Sequence, residues 1–309
     1  MTEFDPAAKL VSTLNDRQWV APPINVEISP TNSCNAKCPW CFYVSSEYKQ
    51  KHSAEELPAF KLYSALTEMS ISGVKAVTWT GGGDPSIYNA IDAVILHAHH
   101  CKLKQGMFTN AYKPIKHPEL LSWIRVTVTE KYVITKHVAE YAKATKVGVN
   151  FNLCAESEPH LATMVKAARD AGVAYFQVRP ALADRAELQY PVERPDWLLD
   201  FATNDFRIVL TDYKWNDYLK PHGYDTCLGH TFVPFVYHNG DVAVCAYHFG
   251  REPFIFGNLR DGWNTVWLGE RRRKMIEEGV KVVHDCQHCC KLHEINKVLA
   301  TDVADKEFL

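Results

Sequence analysis

The sequence predicts an α/β protein built on a parallel sheet, and three observations carry that expectation. Short runs rich in Val, Phe and Thr alternate with amphipathic stretches through the first 180 residues. Parallel neighbours need a crossover, almost always right-handed, and each strand-then-helix repeat supplies one. Two unusual runs, at 34–41 and 81–84, follow the first two strand candidates, where parallel β/α barrels gather their functional loops.

The elements follow in order. Residues 1–20 read as a lead-in, with Asp5-Pro6 at a helix start and Pro22-Pro23 ending it. Asn25-Val26-Glu27-Ile28 reads as a strand running into a cysteine-rich loop, and Leu62, Leu66 and Met69 mark one face of a helix. Residues 76–80 form a second strand, followed by Gly81-Gly82-Gly83-Asp84-Pro85 and a helix with Ile87, Ile91, Val94 and Ile95 on its apolar face. Further strands are expected at 106–109, 123–129, 147–153 and 175–178. Helices are expected near 136–145 and 158–171, the second carrying Leu161, Met164, Val165 and Ala168 at i, i+3, i+4 and i+7. Six such units predict a partial (βα)6 TIM-like barrel over 21–180. Pro191, Pro195 and the charged residues Asp184, Arg185 and Glu187 make 181–225 a linker. Residues 226–309 then read as a small β-hairpin plus helix domain. Its strands at 232–237 and 241–246 flank His238-Asn239-Gly240, where Asn-Gly is a two-residue hairpin signal, with helices at 264–278 and 291–300.

Composition narrows the function. The chain has 309 residues, 47% of them apolar, enough for one large domain and a small one. A formal net charge of −2 argues against a globally basic nucleic-acid binder, and the basic run 271–274 reads as a solvated helix face. No apolar run approaches the roughly 18–20 residues of a membrane span, and no targeting segment stands at the start, so a cytoplasmic protein is expected. In a reducing compartment ten cysteines point to metal ligation rather than disulfides. Three lie at 34–41 and five between Cys227 and Cys290, which suggests two metal sites.

Cys34, Cys38 and Cys41 stand in the order C-x3-C-x2-C. A 4Fe–4S cluster normally takes four cysteine ligands, so a cluster held here leaves one iron open to a group that is not protein. The competing readings are three reduced cysteines in a turn, or a zinc site that borrows a fourth ligand. The spacing, with Trp40 before the third cysteine, resembles the signature of the radical S-adenosylmethionine (radical SAM) superfamily. That resemblance implies that these cysteines hold a 4Fe–4S cluster whose fourth iron is chelated by the amino and carboxylate groups of SAM. It further implies reductive cleavage to methionine and a 5′-deoxyadenosyl radical that abstracts hydrogen from a substrate, and a flavodoxin- or ferredoxin-type electron donor. The partial barrel is the fold it implies.

The same resemblance assigns further residues. Gly82-Gly83-Asp84, with Gly81 before them, resembles the Gly-Gly-Glu motif that holds the SAM amino group, Asp standing for the usual Glu. Thr127 matches a Ser or Thr near ribose at the fourth strand, Asn110 resembles the Thr-Asn-Gly end of the third, and Arg179 sits where a cation could pair with the SAM carboxylate. Cys154, at the end of the fifth strand, reads either as a hydrogen donor facing the cavity or as core packing.

A second site is expected from Cys227, Gly240 and Cys245, in C-x12-G-x4-C, with Cys286 and Cys289 adding C-x2-C. The pattern resembles the opening of the SPASM domain and its shorter Twitch form, which implies an auxiliary 4Fe–4S cluster, so two clusters in all. Cys290 could replace Cys289, and a structural zinc ribbon is the competing reading. The leading expectation is an enzyme that oxidises a small polar biosynthetic substrate and passes one electron to the auxiliary cluster. An isomerase, epimerase or mutase acting on a sugar, nucleoside, amino-acid adduct or peptide is the alternative, the peptide disfavoured by a short N-terminal stretch. A zinc-bearing protein without catalysis is the third.

Overall fold

Along the first strand, β1 (Asn25–Ile28), Val26 and Ile28 are fully buried on one face while Glu27 points to the other. The same alternation runs through its neighbours and decides which face becomes core and which becomes cavity. The computed structural model describes residues 21–45, 52–181, 193–211, 215, 222–281, 286 and 290–300. The expected lead-in at 1–20 therefore lies outside the described residues.

After β1 and a short helix α1 (Phe42–Ser45), the chain forms α2 (Ala59–Ser72), β2 (Ala76–Trp79), α3 (Ile91–His100), β3 (Lys104–Thr109) and β4 (Trp123–Thr127). It continues with α4 (Lys136–Ala144), β5 (Lys146–Leu153), α5 (Leu161–Asp170), β6 (Tyr175–Pro180) and β7 (Arg207–Leu210). Strands β1 to β7 pair with their neighbours in chain order, all parallel. The β3–β4 connection holds a single 3-10 turn (Pro118–Leu120) instead of a helix.

The helices bury most of the faces that their periodicity marks: Leu62, Leu66 and Met69 on α2, Ile91, Val94 and Ile95 on α3, Leu161, Met164, Val165 and Ala168 on α5, whereas Ile87, expected on the α3 face, lies half-buried in a 3-10 turn (Pro85–Ile87) before it. They cover the outer side of the sheet, where Val77, Trp79, Met107, Ile124, Val149, Phe151 and Phe176 join them in one apolar core.

The C-terminal part adds β8 (Thr226–Cys227), β9 (Phe235–Val236), β10 (Asp241–Ala243), β11 (Ile255–Asn258), α6 (Trp263–Trp267), α7 (Glu270–Glu278), β12 (Val280–Lys281) and α8 (His293–Leu299). β9 pairs parallel to β1, so one ten-stranded sheet runs β11-β10-β9-β1-β2-β3-β4-β5-β6-β7 and does not close on itself among the described residues. β8 and β12 form a separate antiparallel pair.

Three expectations are corrected. The stretch 181–225 is not only a linker: β7 within it extends the parallel sheet by a seventh strand, a four-residue run too short to stand out from its polar flanks. The hairpin loop is the three residues His238-Asn239-Gly240 that the expected strand bounds leave between them, wider than a two-residue Asn-Gly turn. Tyr237 N donates to Asp241 O, Gly240 N donates to Tyr237 O, and Gly240 takes φ +89°, the left-handed position that ends this wider loop. The single helix expected at 264–278 is two, α6 and α7, separated at Leu268-Gly269.

Candidate active site and auxiliary cluster site

The loop after β1 is held in place by the turn after β2. Gly83 N donates to Thr31 O (3.1 Å), Asp84 N to Ser33 O (2.8 Å) and Gly82 N to the Ser29 hydroxyl (3.0 Å). A Cβ on Gly83 would sit 1.9 Å from Ser33 O, so only glycine lets the two loops approach this closely. Within the first loop Cys41 N donates to Cys38 O (3.0 Å), curling the trio so that Cys34, Cys38 and Cys41 line one cavity of about 320 Å³.

Gly81, Gly82, Gly83, Asp84, Asn110, Thr127 and Arg179 line the same cavity. The structure therefore brings together all but Trp40 and Cys154 of the residues read from the sequence for this site. Trp40 belongs to an adjoining space shared with Cys38, Cys41, Thr127 and Arg179, and its ring packs on Tyr132 at 6.0 Å between centroids. Arg179 Nε donates to Asn152 Oδ1 (2.8 Å), which aims the guanidinium along the strand ends.

Asp84 is engaged differently from the expectation. Its Oδ1 accepts from Ser86 N (2.9 Å), the Ser86 hydroxyl (2.7 Å) and the Thr109 hydroxyl (2.9 Å), and its Oδ2 accepts from Asn110 N (2.6 Å). Burial raises its pKa and these four donors lower it. The carboxylate thus clamps the β2 turn onto the end of β3. Asn110, fixed by that clamp, donates from Nδ2 to Asn35 Oδ1 (2.7 Å) in the cysteine loop.

Of the two readings of Cys154, packing is the one that agrees with its place: it is fully buried with Trp40 and Ala181, against the partly buried Cys38 and Tyr132, and its backbone N donates to the Ser157 hydroxyl (2.9 Å). It does not line the main cavity, where a hydrogen donor to a substrate would have to stand.

The donor set fits a cationic iron centre. Burial pushes the Cys34 thiol up to about 11 and raises Cys38 and Cys41 as well, with Asp84 and Glu130 adding to the effect at Cys34 and Glu130 at Cys38. Ligand thiols must lose their protons, and iron supplies the positive charge that makes this favourable. Among the described residues, no three His, Cys, Asp or Glu side chains gather around one point as a single ion requires.

The second site lies under the β9–β10 hairpin. Cys227, Cys245, Cys286 and Cys290 all line one enclosed space with His222, Tyr224, Tyr247 and His248. Cys289 lies outside the described residues, and Cys290, the alternative to it, is the one seen on this space. Asn296 of α8 organises the site: its Oδ1 accepts from Leu228 N and Gly229 N, both at 2.7 Å, and its Nδ2 donates to Cys227 Sγ (3.5 Å). Leu292 N donates to Cys290 Sγ (3.3 Å). Burial, then the neighbouring Cys290, raises Cys245 well above the ordinary thiol range.

The two sites share a wall. Cys245 faces the second space, Ala246 the main cavity and Tyr247 both, while Cys290 and the next residue, Lys291, divide in the same way. Lys291 reaches Glu27 of β1 in an ion pair on the main cavity, where burial pulls its ammonium down to about 7 against the attraction of the carboxylate. Its exposed third opens to the cavity itself.

Sequence reasoning missed Glu27, Glu130, Tyr247, Lys291 and Asn296. Glu130, directly after the Thr-Val-Thr run of the fourth strand, had a usable signal: an acid at a strand end on the face where the cysteine loop stands.

Residues 227–290 match the SPASM family, described as an iron-sulfur cluster-binding domain. Streptococcus suis SuiB bound to S-adenosylmethionine superposes with a TM-score of 0.61 at 16% identity, over 85% of this chain and 67% of that one. The same protein bound to its precursor peptide SuiA gives 0.61 at 16%, over 85% and 68%. Native anSMEcpe with bound S-adenosylmethionine gives 0.57 at 16%, over 88% of each. The chain shares the fold of these S-adenosylmethionine-bound proteins, and its residues 227–290 match an iron-sulfur cluster-binding domain. It spans about two thirds of the SuiB chains it matches. No curated protein matches the sequence. Among the described residues no helix is long and apolar enough to cross a membrane.

Proposed function

We propose that this chain is a radical SAM enzyme acting on a small polar substrate, with net oxidation as its outcome. One observation carries the reading: the three-cysteine loop, the glycine turn and the ends of β3, β4 and β6 face a single cavity. Cys34, Cys38 and Cys41 would hold a 4Fe–4S cluster, and Gly81 to Gly83, Asn110, Thr127 and Arg179 would hold SAM. When bound, that pair supplies reductive sulfonium cleavage and hydrogen abstraction.

The chain's own residues do the rest. The Gly81–Gly83 backbone presents carbonyls to an ammonium, with Asp84 holding that backbone from behind. Arg179, oriented by Asn152, meets a carboxylate. Glu27 and Lys291 offer a substrate an acceptor and donors on the wall away from the cysteine loop. Cys227, Cys245, Cys286 and Cys290 would carry the auxiliary 4Fe–4S cluster. A shared wall at Tyr247 supports electron transfer from the main cavity to it.

Anaerobic reconstitution tests this reading. A brown protein holding two clusters, which cleaves SAM when reduced by a flavodoxin- or ferredoxin-type donor, supports it; a colourless zinc protein without cleavage ends it. Cys38→Ala abolishes cleavage. Cys286→Ala keeps some cleavage and loses product, and SAM is consumed once per product, where a rearrangement would recycle it.

A further inference from the structure

We propose that Glu130 is a positioning residue that seats the three-cysteine loop and sets the reduction potential of the cluster it carries. The inference rests on the assignment of Cys34, Cys38 and Cys41 to a 4Fe–4S cluster, and goes beyond it by naming a residue outside the motif.

Glu130 stands three residues past the end of β4. Its Oε1 accepts from Lys37 N (3.0 Å) and its Oε2 meets Cys38 Sγ (3.2 Å), so one carboxylate grips two adjacent residues of the cysteine loop. The turn that presents it is braced on both sides. Tyr132 N donates to Thr129 O (3.0 Å), the Thr129 hydroxyl meets the Tyr112 hydroxyl, and the Tyr132 ring stacks on His160 with centroids 3.7 Å apart. Tyr132 itself takes φ +49°, a left-handed conformation that a bulky residue keeps only when its surroundings enforce it. Asp84, an acid that does line the cavity, spends both oxygens on Ser86, Thr109 and Asn110.

Iron–sulfur potentials follow cluster charge, hydrogen bonding to the sulfurs and solvent exposure. With iron bound, Cys38 is a thiolate and has no proton to give, yet the Lys37 N–H still anchors the carboxylate beside it. A negative charge held beside the cysteine loop by Lys37 N opposes the arrival of an electron on a cluster there. Glu130 therefore holds the potential low, which makes the reduced cluster a stronger reductant.

The test is an EPR-monitored redox titration of reconstituted wild type and Glu130→Gln, with the auxiliary cluster in the same sample as the internal standard. Glu130→Gln keeps the shape and an acceptor for Lys37 N while losing the charge. Its SAM-responsive cluster shifts to a more positive midpoint and the auxiliary midpoint stays put. An unchanged midpoint in a fully loaded variant overturns the proposal, as does an equal shift of both clusters. Should Glu130→Gln not take up iron, Glu130→Asp and Glu130→Asn repeat the comparison, the Asn variant having the more positive midpoint. Loading by Asp alone would leave Glu130 a seat for the loop and remove its role in the potential. A wild-type protein with no SAM-responsive cluster refutes the underlying assignment instead.

Discussion

Asp84 occupies the position of the motif's usual glutamate, and its buried oxygens are filled by Ser86, Thr109 and Asn110. Adding one methylene to a fully packed carboxylate forces these donors apart. Asp84→Glu, which would restore the more familiar motif, is expected to lower stability by about 1–3 kcal/mol in denaturant unfolding. Tighter SAM binding by that variant would contradict the clamp. His230 permits a second prediction. It is fully buried against Phe256, neither ring nitrogen has a hydrogen-bond partner among the described residues, and burial with the nearby Arg272 pulls its pKa down to about 3. The unfolded chain then takes up the proton first, at an ordinary value near 6.5, so this residue's contribution to stability falls as pH drops from 6.5 toward 3. His230→Gln removes that slope. Unfolding measured between pH 6.5 and 4.5 shows the wild type losing about 2 kcal/mol more than the variant over the whole interval. Residue identity made the cysteines and glycines legible in the sequence, because few other chemistries need them at that spacing. Glu130 left only the weaker signal of an acid at a strand end, and Lys291 left none, since a lysine is ordinary until the fold sets it beside an opposite charge.

The strands and helices with a clear period appear where the sequence places them. α5 buries the four residues its spacing marks, and β1 to β6 lie within a few residues of their expected bounds. The misses have different causes. β7 shows itself only through its pairing with β6, the hairpin loop is closed by Tyr237 and Asp241, and the α6–α7 break falls at Gly269, which leaves the helical conformation at φ −71° and ψ 152°. α8 was expected, but the work of its Asn296 was not. Asn296 bridges two backbone N–H groups and the Cys227 sulfur, so Asn296→Leu leaves both donors unpaired in a buried site, at about 1–3 kcal/mol each. Iron analysis of that variant is expected to show loss of the auxiliary cluster with the three-cysteine cluster retained. Full iron content would contradict the role given to α8.

At the scale of the whole chain, β9 lies against β1, and the C-terminal part is thereby continuous with the sheet that carries the active site. Cys245 to Tyr247 and Cys290 to Lys291 place cysteines of the second site and wall residues of the main cavity on consecutive positions. A barrel and a cysteine-rich tail could be read from the sequence as two parts; the pairing that makes them one could not, because a two-residue strand has no pattern of its own. The account stands on the three-cysteine loop holding a cluster with an iron open to SAM. EPR of the reduced, reconstituted protein with and without SAM measures this directly. A changed spectrum on addition of SAM, absent in Cys38→Ala, is the predicted result, and an identical spectrum with SAM present would contradict it.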